Sequence, residues 1–180
     1  MNNNILAECI SLWKAMPRNN PAELKVADEY FDTVLMPLAR DRFIETQKID
    51  QRYYGMVLTL GTSWQPLALS ISALRPERIL ILCTEDTSTL VDMLMEFAEI
   101  DGSCCNVVVV DRSESQGIYS AMQAAYEEWE QLGAICVDIT GGTKAMSSSA
   151  AMMGAVLGLD IYYVESKYLP LYRRPEPGSE

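Results

Sequence analysis

The chain has 180 residues, 49% of them hydrophobic, and a formal net charge of −11. That length bounds one domain with a small added element, and the acidic balance excludes the general electrostatic pull toward long DNA or RNA while leaving room for a small anion in a local positive field. The sequence contains no histidine, which excludes Ser-His-Asp and Cys-His nucleophilic sites and histidine-ligated metals, and leaves acid–base work to Lys, carboxylates, Tyr and hydroxyls.

The first fifty residues read as helical. Ile5, Leu6, Cys9, Ile10, Leu12, Trp13 and Met16 recur at helical spacing. Asn20-Pro21-Ala22-Glu23 places a cap, a proline and a carboxylate at the start of a second helix. Pro37 is expected to end or kink that helix. Residues 1–50 form an appendage with no evident chemistry.

From residue 55 the texture alternates. Strands are expected at 56–60, 78–83, 106–110, 134–139 and 160–164, with helices at 65–74, 88–99, 116–132 and 143–157. Runs such as Ile79-Leu80-Ile81-Leu82 and Val107-Val108-Val109-Val110 suit strands covered on both faces. Alternating strands and helices imply an α/β fold: a Rossmann-like, doubly wound, mostly parallel sheet of five to six strands with helices on both faces. Residues 167–180, ending in Pro175-Glu176-Pro177-Gly178, read as a linker.

Five cysteines include no C-x-x-C pair, so no metal site is expected. Their odd number, with a polar start (Asn2-Asn3-Asn4) instead of a signal peptide, suits a reducing cytoplasm. No apolar run approaches the roughly 20 residues of a membrane helix, so no membrane partner is expected.

In doubly wound sheets ligands bind beyond the carboxyl ends of the strands, where the strand order reverses. With the order 3-2-1-4-5, the loops after the first and fourth strands flank that point. They are also the richest in Gly, Ser and Thr. The fourth, Thr140-Gly141-Gly142-Thr143-Lys144, turns on two glycines into a helix. Its amides, hydroxyls and ammonium suit a phosphate, and a lysine in a first helical turn opposes the helix dipole unless an anion is near. The spacing is not that of a Walker loop. The first loop offers Gly61, Thr62, Ser63, Trp64 and Gln65 before Pro66. Trp64 suits either base stacking or the core. Thr84, Glu85 and Asp86 follow the second strand, where an acid either binds ribose hydroxyls or caps a helix. Asp111 to Gln116 form a third candidate loop, with Gln116 read as a helix start. The small residues Ser147 to Ala151 suit close helix approach at a dimer seam.

Over residues 55–166 the chain resembles the CARF family, the CRISPR-associated Rossmann-fold sensor domains. The resemblance rests on Leu60-Gly61-Thr62-Ser63-Trp64-Gln65-Pro66 and Asp138-Ile139-Thr140-Gly141-Gly142-Thr143-Lys144-Ala145-Met146. It implies a homodimer that binds a cyclic oligoadenylate, cyclic tetra- or hexa-adenylate, between its subunits and controls an effector in type III CRISPR antiviral defence. By the same resemblance Thr62, Ser63, Thr140, Gly141, Gly142, Thr143 and Lys144 hold phosphates and riboses, and the Thr84–Asp86 loop lies near adenine or ribose. The effector is expected outside this chain, in cis or in trans, and no catalytic residue and no cofactor are expected in the domain. The alternatives are a ring nuclease that slowly cleaves the messenger and a nicotinamide- or flavin-dependent enzyme. The last lacks its fingerprint, since Ser63 and Pro66 stand where G-x-G-x-x-G needs glycines.

Overall fold

Strands β1 (Gly55–Thr59), β2 (Arg78–Cys83), β3 (Cys105–Val109), β4 (Ile135–Asp138) and β5 (Asp160–Tyr162) pair in parallel in the order β3-β2-β1-β4-β5. The computed structural model describes residues 3–111 and 113–180; Met1, Asn2 and Arg112, the last in the third candidate loop, lie outside the described residues. The chain divides into two units, 49–164 and the joined segments 1–48 and 165–180.

In the first of these units the sheet alternates its side chains between two apolar layers. Met56, Leu58, Ile79, Ile81 and Cys136 pack on helices α4 (Gln65–Leu74) and α6 (Val91–Ala98). Val57, Leu80, Leu82 and Val137 pack on α7 (Gln116–Trp129) and α8 (Lys144–Leu157). Helices on both faces of a parallel sheet make the fold Rossmann-like. The strand order reverses between β1 and β4, so their carboxyl ends form the switch point.

Three local expectations are corrected. The helix expected at 88–99 is two pieces, α5 (Glu85–Ser88) and α6. Thr84 and Thr87 cap α5 reciprocally and start it early. Val107 and Val109 are 40% and 52% exposed, because β3 is an edge strand with a neighbour on one side alone. β5 stops at Tyr162, and Tyr163 is exposed.

The second unit contains α1 (Asn3–Ala15), α2 (Pro21–Tyr30) and α3 (Met36–Gln47). Asn20 caps α2, accepting from the Glu23 N–H at 3.0 Å. Pro37 does not end the helical run. A π turn over Phe31–Leu35 precedes it, with the Met36 N–H donating to the Phe31 carbonyl, and the proline sits in the first turn of α3 where no amide donor is needed. Residues 167–180, expected as a linker, carry the antiparallel pair β6 (Tyr168–Leu169) and β7 (Arg174–Pro175). Trp13, 1% exposed, centres this unit. Its indole donates to the Ala27 carbonyl at 3.0 Å and its ring lies 5.2 Å from Phe31 and 4.8 Å from Tyr172. The Arg18 guanidinium sits 4.9 Å from the Trp13 ring and 4.8 Å from that of Tyr172. Arg174 pairs with Asp28 at 3.0 Å and Asp32 at 3.4 Å, and Lys14 with Glu176 at 2.6 Å.

Candidate functional site

The loops after β1 and β4 interlock through glycine. A Cβ on Gly61 would lie 2.6 Å from the Gly142 nitrogen, and one on Gly141 would overlap the Thr59 carbonyl oxygen. Gly142 has φ +80°, in the left-handed region that favours glycine. Backbone therefore touches backbone at the switch point. The Gly141 carbonyl accepts the Thr59 hydroxyl at 2.7 Å and the Ser147 hydroxyl at 2.6 Å. These bonds fix the loop from β1 on one side and from α8 on the other.

The loop after β2 joins the same platform. The Thr87 hydroxyl donates to the Leu60 carbonyl at 3.1 Å, and the Thr84 N–H donates to Thr87 Oγ1 at 3.0 Å. Thr84 is buried, whereas Glu85 and Asp86 are exposed on the first turn of α5. The loop after β3 is attached through α8, where Ser149 donates to Ser115 Oγ at 2.7 Å.

Thr143 caps α8, its hydroxyl oxygen accepting from the Met146 N–H at 3.2 Å. Lys144 follows at the first helical position, is exposed, and has no ion-pair partner among the described residues. A 14-residue helix directs the positive end of its dipole there. Thr62 and Ser63 are exposed; Gly61, Thr140, Gly141, Gly142 and Thr143 are half-buried. Among the described residues these features make a glycine-walled platform with an unpaired cation, hydroxyls and a helix N-terminus, groups that can meet an anion.

Two residues read as ligand contacts face inward. Trp64 is 4% exposed, with its ring 5.3 Å from that of Phe97, so the core alternative describes its side chain. Gln65 is 7% exposed at the start of α4. Part of the small-residue stretch of α8 also turns inward: Ser149 and Ala150 are buried and Ser147 is tied to Gly141, while Ser148 is exposed. The exposed face of α8 instead carries Ala145, Ser148, Met152, Ala155 and Val156.

Asp138 opens the fourth-loop motif. It ends β4 and is 0% exposed. Its Oδ1 accepts the Thr140 N–H at 2.7 Å. Burial pushes its carboxyl above the usual range, opposed by hydrogen bonds from Ser70 and Thr140 to the ionised form. Thr140 Oγ1 accepts the Val164 N–H at 2.8 Å. The legible signal was a carboxylate closing an apolar strand two residues before a threonine, the spacing of an Asx turn.

No protein-family model matches the chain. In sequence it is 29% identical over 136 residues to the CRISPR system endoribonuclease Csm6 of Thermus thermophilus, a match covering 72% of this chain and 28% of that protein. In structure it is similar to Can2 from Sulfobacillus thermosulfidooxidans, solved in complex with cyclic tetra-adenylate (TM-score 0.56, 19% identity, 71% of this chain and 34% of that one). It is also similar to Enterococcus italicus Csm6 bound to cyclic hexa-2′-fluoro-hexa-dAMP (TM-score 0.51, 12% identity, 69% of this chain and 36% of that one). The fold is one that both of these solved structures share. The chain spans between a quarter and two fifths of the length of each of these proteins. Among the described residues no helix is long and apolar enough to cross a membrane.

Proposed function

We propose that residues 49–164 bind a cyclic oligoadenylate on the platform formed by the loops after β1 and β4. The observation that carries this reading is the interlocked glycine platform ending in Lys144, an unpaired cation at a helix N-terminus in a chain of net charge −11. The shared fold adds support, since both similar solved structures hold a cyclic oligonucleotide. Gly61, Thr62, Ser63, Gly141, Gly142, Thr143 and Lys144 surround the phosphates and riboses; Glu85 and Asp86 meet ribose or adenine edges. Thr84 and Thr140 act from behind, as their hydroxyls already have protein partners.

A ring with several phosphates suits a two-fold dimer, which presents every loop twice. The exposed face of α8, with Met152 63% and Val156 80% accessible, is the surface for that homodimer. Such a protein acts in the cytoplasm, in type III CRISPR defence, and signals to an effector domain in cis or in trans.

The second reading is that the unit also cleaves the ring. The endoribonuclease name of the Thermus thermophilus relative favours it, and supports it more directly than any observation supports allosteric relay. Without histidine, cleavage relies on alignment. A ribose 2′-hydroxyl attacks the adjacent phosphorus, the P–O5′ bond breaks, and a 2′,3′-cyclic phosphate and a protonated 5′-hydroxyl result. Holding nucleophile and phosphorus in line lowers the barrier, and Lys144 offsets the charge that develops on the phosphoryl oxygens.

Titration calorimetry with cyclic tetra- and hexa-adenylate, followed by chromatography of the mixtures after hours, tests both readings. Binding of one ring without turnover supports a sensor; conversion to linear fragments supports a ring nuclease. Absence of heat with either ring would sink the proposal.

A further inference from the structure

Within the ligand reading above, one buried residue is unexplained by stability. β4 is apolar until its last residue, Ile135-Cys136-Val137-Asp138, and Asp138 sits in the sheet opposite Leu58 of β1 and Tyr162 of β5. It is fully buried and has no ion-pair partner among the described residues. Its Oδ2 makes no hydrogen bond. A buried carboxylate without a cation is costly, and an unmet acceptor adds to that cost. Asparagine at this position would accept the Thr140 N–H through its carbonyl equally well, and would carry no charge. The fold alone therefore gives no reason for a carboxylate.

The bonds it makes suggest another reason. Oδ1 holds the Thr140 N–H, and the Thr140 hydroxyl oxygen in turn holds the N–H of Val164, just beyond β5. Ser70 of α4, 3% exposed, adds a hydrogen bond to the carboxylate from the layer in which Cys136 also packs. A carboxylate takes the Thr140 N–H and brings no N–H of its own beside the Thr140 hydroxyl oxygen, which stays free for Val164. Asp138, Thr140 and Val164 thus form a bracket across the ends of β4 and β5. Directly after it come Gly141 and Gly142, interlocked with Thr59 and Gly61, and then Lys144.

We propose that Asp138 is a positioning residue, which acts through Thr140 to hold the glycine turn and Lys144 in the ligand-accepting arrangement, and which is kept for that role against the preference of the fold. An amide here directs N–H groups at Thr140, draws the hydroxyl oxygen away from Val164, and loosens the turn. Losing the charge-assisted contact of a displaced Lys144 weakens binding about tenfold or more.

The test uses the full chain and its Asp138→Asn variant. Three quantities are read: the thermal midpoint, the affinity for cyclic tetra- and hexa-adenylate, and, without ligand, the exchange rate of the Val164 amide. The bracket predicts an equal or higher midpoint, affinity weaker by about tenfold or more, and faster Val164 exchange. Ser70→Ala, which removes one donor outside the loop, should shift affinity in the same direction by less. A lower midpoint or failure to fold would make Asp138 an ordinary structural residue and overturn the proposal, as would unchanged affinity. If the wild-type chain binds neither ring, the ligand reading falls on its own. The midpoint and the Val164 exchange then still decide whether the bracket exists.

Discussion

Lys144 opens α8 against its own helix dipole, a placement that a bound anion would offset. Replacing it with alanine should weaken cyclic oligoadenylate binding about tenfold or more, since a hydrogen bond to a charged group is worth about 1.5–3 kcal/mol. The thermal midpoint should hardly move, because the side chain is exposed and unpaired. Gly141→Ala should do the opposite first. Its Cβ meets the Thr59 carbonyl, so overpacking should cost about 1–3 kcal/mol of stability, read by denaturant unfolding. Asp138 adds a pH signature. Burial raises its folded carboxyl above the ordinary 3.8, so protonation favours the folded state. Its contribution is fully present below the unfolded value and is lost as pH rises through the folded one. The stability difference between wild type and Asp138→Asn should therefore change with pH from about 4 upward and become constant once the folded group is ionised; a difference independent of pH would contradict a buried, titrating carboxylate.

At the scale of elements, the alternating texture was enough to read β1 to β5, because each strand is a short apolar run closed by turn residues; their order was a premise of the doubly wound fold, and the pairing agrees with it. What it missed has local physical causes. Val107 and Val109 look like core by composition, but edge position depends on pairing partners, which a single run of valines does not encode. Pro37 looked like a helix end, yet a π turn one step earlier absorbed it. Trp64 was open between stacking and packing, and only the neighbour Phe97, distant in sequence, decided its orientation. The site loops were visible as Gly61, Gly141, Gly142 and Lys144, whereas Thr59, Ser147 and Asp138 were not, since their role is to hold the loop through single hydrogen bonds. In the helical unit, Trp13 carries the core. Trp13→Ala should cost about 3–5 kcal/mol and abolish the near-ultraviolet signal of its packing with Phe31 and Tyr172; retention of both would show that this unit has another centre.

At the scale of the whole molecule, a chain of net charge −11 presents the exposed Lys144 at a helix N-terminus. If the exposed face of α8 is a dimer seam, light scattering should give about twice the 20.1 kDa of one chain, and Val156→Glu should return the monomer. The central claim is the place and chemistry of the site, and hydrogen exchange with saturating cyclic tetra- or hexa-adenylate tests it most directly. The account predicts protection concentrated in residues 61–65 and 140–146, lost in Lys144→Ala at the same ligand concentration. Protection elsewhere in the chain, or none in these two loops while the ring is bound, would contradict it.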